Sequence, residues 1–220
     1  MIFLEDIHFA DDCKHYYEEL DDKEGISASY NISGTAYYGM GKYDDAVTSF
    51  THSLEIAQNI DDKNSIARTL TNMGECARSQ QEYKQAQKLY FESLSIEKEL
   101  GFEPGDPITL NNLGFTSIGL KHYAEAREYF ILSIKVSRIN KMFPIILESL
   151  LGLAVLCIHS GSFKRASEYI SMVTSHSACD SEVLKEAERL LPWLKGSMSK
   201  KNYEDSAEQG KKMDLDSVLV

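Results

Sequence analysis

The sequence predicts an all-α protein, a solenoid of stacked helical hairpins. Three observations carry this expectation. Columns of like residues recur at a spacing of 40, apolar residues within each copy recur at steps of three and four, and 4 prolines and 13 glycines in 220 residues leave few helix breakers. With 43% apolar residues, a chain of this length can bury a sizeable core without disulfide or metal staples.

The columns stay in phase without an insertion. Tyr43 is followed by Tyr83, Tyr123 and Phe163; Ala46 by Ala86, Ala126 and Ala166; Phe50 by Tyr90, Phe130 and Ile170; Gly34 by Gly74, Gly114 and Ala154. The connector Asp21-Asp22-Lys23 recurs as Asp61-Asp62-Lys63. Each copy reads as two helices. In the second copy Ile66, Leu70, Met73, Gly74 and Ala77 share one helical face. After Ser79-Gln80-Gln81-Glu82 comes a second stripe of Tyr83, Ala86, Leu89, Tyr90, Ser93 and Leu94. Gly74 and Ala86 let the two helices approach closely, with Tyr83 and Tyr90 filling the space beside the crossing.

Taken in order, residues 1–20 come first. Phe3, Ile7, Ala10, Cys13 and Tyr17 fall under Tyr43, Val47, Phe50, Ser53 and Ala57, although Asp6 occupies the small-residue column. This segment reads as the second helix of a repeat whose first helix is missing, either because the chain is a fragment or because the first repeat is incomplete. Its apolar stripe is expected to lack a cover and to drive self-association. Four hairpins follow at 26–58, 66–98, 106–138 and 146–175. Asp180-Ser181 then caps a helix over 180–195 that carries Val183, Leu184, Ala187, Leu190 and Leu191. Pro192 is expected to end or kink it, with Trp193 and Leu194 covering the open end. The tail 196–220 begins as a polar loop, continues as a short helix from Tyr203 to Gly210, and ends with the apolar set Met213, Leu215, Val218 and Leu219.

The repeat core resembles the tetratricopeptide repeat (TPR), with its pattern W-x2-L-G-x2-Y…A-x3-F. Copy one has Tyr30, Ser33-Gly34, Tyr37, Ala46 and Phe50; copy three has Leu110, Leu113-Gly114, Ser117, Ala126 and Phe130. The Trp and the closing Pro are absent, and the six residues beyond the usual period of about 34 are expected around the inter-repeat linkers. The resemblance implies a right-handed superhelix. The run Tyr203-x3-Ala207-x2-Gly210-x2-Met213-x-Leu215 further resembles the closing motif of the TPR sensor region of bacterial STAND-class regulatory ATPases, as does the core Leu70-Thr71-Asn72-Met73-Gly74. It departs at Ser206-Ala207, where the motif has Ala-Trp, and at Lys211, where it has Arg. That likeness implies a recognition region without the ATPase or effector parts.

Charge and chemistry narrow the function. The formal net charge is −11, from 23 basic and 34 acidic residues, which speaks against direct nucleic-acid binding. Residues 1–24 carry nine acidic and two basic groups, read as a solvated helix face before a docking site for a basic partner. No signal peptide and no apolar run of about 18 residues occurs, and Cys13, Cys76, Cys157 and Cys179 form no CxxC pair, so a reduced, cytoplasmic setting is expected. Gly34-x4-Gly39-Met40-Gly41-Lys42-Tyr43 misses the phosphate-loop register, so no nucleotide is expected. Cys157, His159, His176 and Cys179 are four potential zinc ligands, but Cys157 occupies a core column and no metal is expected. No cofactor and no catalytic constellation is expected.

What remains is a recognition surface for a protein or peptide. In tetratricopeptide arrays the first helices line the concave side. Counting from the repeat glycine places Asn31, Tyr38, Arg68, Asn72, Glu75, Arg78, Asn111, Asn112, Phe115 and Glu148 in that groove. Asn72 and Asn112 share one repeat position, and side-chain amides can hold a peptide backbone through donor and acceptor together. They serve equally well in hydrogen bonds to neighbouring helices. Arg68 and Arg78 are expected to form a fork for a carboxylate.

Overall fold

The structure is a computed structural model that describes residues 2–215 and 218, with side chains from residue 5 onward. Eleven α-helices and no strand occur among the described residues. They fall into two compact units, 1–105 and 106–220.

The N-terminal unit holds α1 (Ile2–Glu19), α2 (Lys23–Gly39), α3 (Tyr43–Asn59), α4 (Lys63–Ser79) and α5 (Tyr83–Glu99). Consecutive helices pack against each other as antiparallel neighbours, and α2 also touches α4. A Cβ added at Gly34 would fall 2.5 Å from the Phe50 ring, and one at Gly74 2.6 Å from the Tyr90 ring. The small column therefore receives the aromatic column of the partner helix, so the ring lies over the glycine and not beside the crossing. Phe50 and Tyr90 are 1% and 0% exposed, and burying each ring contributes about 2–3 kcal/mol.

The added length of the repeat lies in the helices, which corrects the expectation of longer linkers. Helices α2 to α5 are 17 residues each and three-residue connectors join them. The reason is a stop signal every 20 residues. Asp21, Gly41, Asp61, Gln81, Gly101, Lys121, Lys141 and Gly161 all have positive φ. After each, the next amide reaches back five residues, as in Glu82 N to Ala77 O at 2.8 Å and His122 N to Ser117 O at 2.8 Å. This is a left-handed helix cap that satisfies terminal carbonyls.

A second correction concerns α1. Ala10 is 0% exposed, and Ile7, Cys13 and Tyr17 are half-buried. Helix α2 covers this stripe, because a second helix packs on the following first helix as well as on its own. The Phe3 side chain lies outside the described residues. The exposed apolar side chains are Phe9, Tyr16 and Leu20.

The C-terminal unit holds α6 (Pro107–Gly119), α7 (Tyr123–Ile139), α8 (Phe143–His159), α9 (Phe163–Ser175), α10 (Ser181–Ser197) and α11 (Lys200–Lys211). Its core contains Phe130, Ile134, Leu147, Leu150, Ile170 and Leu194. Asp180 caps α10 by accepting from Glu182 N and Val183 N, both at 2.9 Å. The helix runs through Pro192 to Ser197 instead of ending there. Leu194 is fully buried, while Trp193 is 48% exposed and meets the Phe163 ring edge-on at 5.1 Å. The expected loop over 196–206 is mostly helix, because Ser199 caps α11 by accepting from Asn202 N at 3.2 Å. Gly210 lies against the Glu168 backbone with no room for a Cβ, which seats α11 on α9. Leu215 and Val218 are buried; Leu219 lies outside the described residues.

Candidate functional site

In the N-terminal unit, hydroxyl and amide groups form a buried column that ties three helices together. Ser27 Oγ donates to Ser53 O at 3.0 Å, Ser53 and Thr69 hydroxyls are 3.3 Å apart, and Asn31 Nδ2 donates to Thr69 Oγ1 at 3.0 Å. The motif returns 40 residues on, where Ser93 Oγ donates to Ala67 O and shares a 2.9 Å bond with Thr71 Oγ1. In the C-terminal unit Ser133 Oγ donates to Pro107 O at 2.7 Å, and Ser149 Oγ donates to Asn111 Oδ1 at 2.8 Å. Buried hydroxyls with fixed partners of this kind set the register of neighbouring helices. Sequence reading noticed Ser93 as one position of a stripe and missed the column, whose signal is the serine at 53, 93 and 133.

This column decides the fate of several expected groove residues. Asn31 is 7% exposed, Asn111 1% and Asn112 2%. Asn31 donates to Thr69 and accepts from Asn72 on α4, and Asn111 Oδ1 accepts from Ser149 on α8 while its Nδ2 is buried without a hydrogen-bond partner among the described residues. The expected ladder of exposed amides is thereby reduced to Asn72. Its Nδ2 donates to Asn31 Oδ1 at 3.1 Å, and its Oδ1 has no partner among the described residues. A half-buried amide with an open acceptor is poised to take a backbone N–H.

Beside it on α4 and α2 lies the other part of the site. Arg78 Nη2 is 3.9 Å from Glu75 Oε1, and Tyr38 OH is 3.1 Å from Ser79 Oγ. Burial, followed by the Glu75 charge, pushes the Tyr38 phenol above its ordinary range, so it remains a neutral hydroxyl. Burial opposes the charge on Arg78, but Tyr90, Glu75 and Tyr38 outweigh it and hold the guanidinium above its usual value. Arg68 stands apart: it is exposed, and its Nη2 donates to Ser65 Oγ at 3.3 Å. Ten residues of helix separate it from Arg78, a rise of about 15 Å. The expected fork of Arg68 and Arg78 does not form. In the C-terminal unit Phe115 packs edge-on against Phe130 at 4.9 Å and Glu148 is half-buried on α8.

Of the four potential zinc ligands, Cys157 and His159 stand in the last turn of α8, and His176 and Cys179 in the turn between α9 and α10, where Cys179 N donates to His176 O at 3.1 Å. Cys157 lines a cavity, His159 stacks on Tyr123 at 4.9 Å, and His176 Nδ1 accepts the Ala178 amide at 3.1 Å. Burial first raises the Cys157 and Cys179 thiols above their ordinary range and that of Cys76 to about 12, so all three stay protonated at neutral pH.

Tetratricopeptide-repeat family models match residues 25–99 and 108–139. No curated protein sequence matches the chain. Among solved structures, BtubC (BKLC) from P. vanneervenii superposes with a TM-score of 0.74 at 14% identity, over 96% of this chain and 91% of that one. Aspartyl phosphate phosphatase F from Bacillus subtilis gives 0.61 at 16% identity, over 99% of this chain and 58% of that one. The apo form of RapI gives 0.63 at 14% identity, over 97% and 71%. At such identities the likeness concerns the fold, an all-α solenoid type.

Proposed function

We propose that the chain, whose residues 25–99 and 108–139 match tetratricopeptide-repeat models, is a non-enzymatic, cytoplasmic recognition module. It binds a protein segment, a peptide or a small inducer on the face of its first helices. The observation that carries this reading is the cluster of Tyr38, Asn72, Glu75 and Arg78, half-buried on α2 and α4 with both donors and acceptors in reach of a ligand. Within that reading it is the sensor region of a bacterial signalling or transcriptional regulator. The support for this is the likeness of the tail run Tyr203-x3-Ala207-x2-Gly210-x2-Met213-x-Leu215 to the closing motif of such sensor regions. Ligand engagement would then favour one helix packing over another and so bias an attached effector. A stand-alone receptor for a signalling peptide uses the same face.

The test begins with peptides selected on the protein from a random display library. Isothermal titration against Asn72→Ala and Arg78→Ala is expected to show at least a tenfold loss for each, as for groups at the centre of an interface. Unchanged affinity in both rejects this face.

A second reading, assembly through the end of the array, is favoured by α1. Phe9 and Tyr16 on it and Leu20 just after it are 62%, 59% and 58% exposed. Sedimentation velocity across a hundredfold concentration range tests it: a self-associating species that Phe9→Ser with Tyr16→Ser disperses supports assembly, and a monomer throughout rejects it.

A further inference from the structure

The C-terminal unit carries a cavity separate from the face of α2 and α4. Helices α7, α8 and α9 line about 680 Å³, within the size range of small-ligand sites. Ile131, Leu153 and Leu156 form its apolar wall, and Arg127, Lys135 and Arg165 stand around it. None of the lining residues is acidic, although the chain carries a formal charge of −11. Arg127 and Lys135 are exposed and have no ion-pair partner among the described residues, whereas Arg165 is held by Glu168 at 3.0 Å. Burial raises the Cys157 thiol, and the charges of Arg165 and Arg127 oppose that rise, so both guanidinium groups lie within electrostatic reach of the same stretch of wall.

The repeat supplies an internal control. In the other copies the Arg127 column holds Val47, Gln87 and Ser167, the Lys135 column Glu55, Ser95 and Ser175, and the Arg165 column Asp45, Gln85 and Glu125. Each column contains one cation in four copies, and those three cations surround one cavity. Hairpin packing does not require them, since the other copies form the same helices without them. On α7, Arg127, Ile131 and Lys135 follow at steps of four and share one helix face. Unpaired cations beside an apolar wall suit a ligand that is anionic at one end and aliphatic at the other. We propose that this cavity binds a small amphipathic carboxylate, with its aliphatic part against Ile131, Leu153 and Leu156 and its carboxylate on Arg127. Lys135, eight residues or about 12 Å of helix further on, adds to the attraction for the anion.

Octanoate is the probe, titrated into the full chain by calorimetry, with 1-octanol, octylamine, acetate and inorganic phosphate for comparison. One octanoate is expected to bind per chain. The other four should each bind more weakly by about tenfold or more, because each lacks either the carboxylate or the aliphatic part. The substitutions are taken from the equivalent columns, whose residues the hairpin already accommodates. Arg127→Gln should weaken octanoate about tenfold, Ile131→Thr about threefold and Lys135→Ser about twofold. Thermal melts without ligand establish that each variant is folded. Asn72→Ala should leave the affinity unchanged, which separates this site from the first. No saturable binding of octanoate, equal binding of 1-octanol or inorganic phosphate, indifference to Arg127→Gln, or a loss with Asn72→Ala would each overturn the proposal.

Discussion

At the scale of single residues, the glycines test whether packing or propensity decides. Alanine in a helix is favoured over glycine by about 1 kcal/mol. At Gly114, however, the new Cβ would fall 2.5 Å from the ring of Phe130, which is 0% exposed. Displacing such a ring costs about 1–3 kcal/mol, so Gly114→Ala is expected to destabilise. Gly196 has nothing within 4 Å of its added Cβ, so Gly196→Ala should stabilise by about 0.5–1 kcal/mol. Urea denaturation of the two variants measures both signs. The same scale shows what spacing can read. Repeat position assigned Tyr38, Asn72, Glu75 and Arg78 to a groove of first helices; in the structure they are half-buried on α2 and α4. It could not separate Asn72 from Asn112, because both stand two residues before a repeat glycine. Only the packed structure separates them: Asn112 is 2% exposed, whereas Asn72 is half-buried.

At the scale of the helix, the stop signals and caps are separately testable. Gln81 and Lys121 hold φ of 63° and 64° at cap positions where Gly41 and Gly161 hold 72° and 75°. A side chain in that region costs about 1 kcal/mol, so Gln81→Gly should raise the unfolding free energy by roughly that amount, read from the denaturation midpoint. Asp62 caps α4 by accepting from Ser65 N at 3.1 Å, and Asp62→Ala should cost about 1 kcal/mol at neutral pH. The Ser65 hydrogen bonds hold the Asp62 carboxyl below its ordinary value in the folded chain. Its contribution is therefore present above the usual carboxylate value, about 4, and disappears as pH falls through the lower folded value. The difference between the unchanged chain and Asp62→Ala should shrink over that acid window. Sequence cues gave the Asp180 cap and missed the one at Ser199. Of the two outcomes expected at Pro192, an end or a kink, the end does not occur, because Leu194 beyond it is anchored in the core at 0% exposure.

For the molecule as a whole, the connection between the units is the longest between any two repeat helices. It runs from Leu100 to Asp106, where other connectors have three residues. Phe102 is 58% exposed within it. Brief chymotrypsin digestion is expected to cut first after Phe102, giving fragments 1–102 and 103–220, identified by mass spectrometry. First cleavage within α3 or α8 would contradict the division into units.

The sequence by itself determined the all-helical class, the helical period and the recurrence of small and aromatic columns at 40 residues, because each follows from local geometry repeated along the chain. Tertiary packing alone decided which polar side chains are buried, that α2 covers α1, and that Val218 joins three cationic side chains from α7 and α9 around one cavity. Those outcomes depend on which surfaces meet, and residues far apart in the chain leave no periodic trace of their meeting.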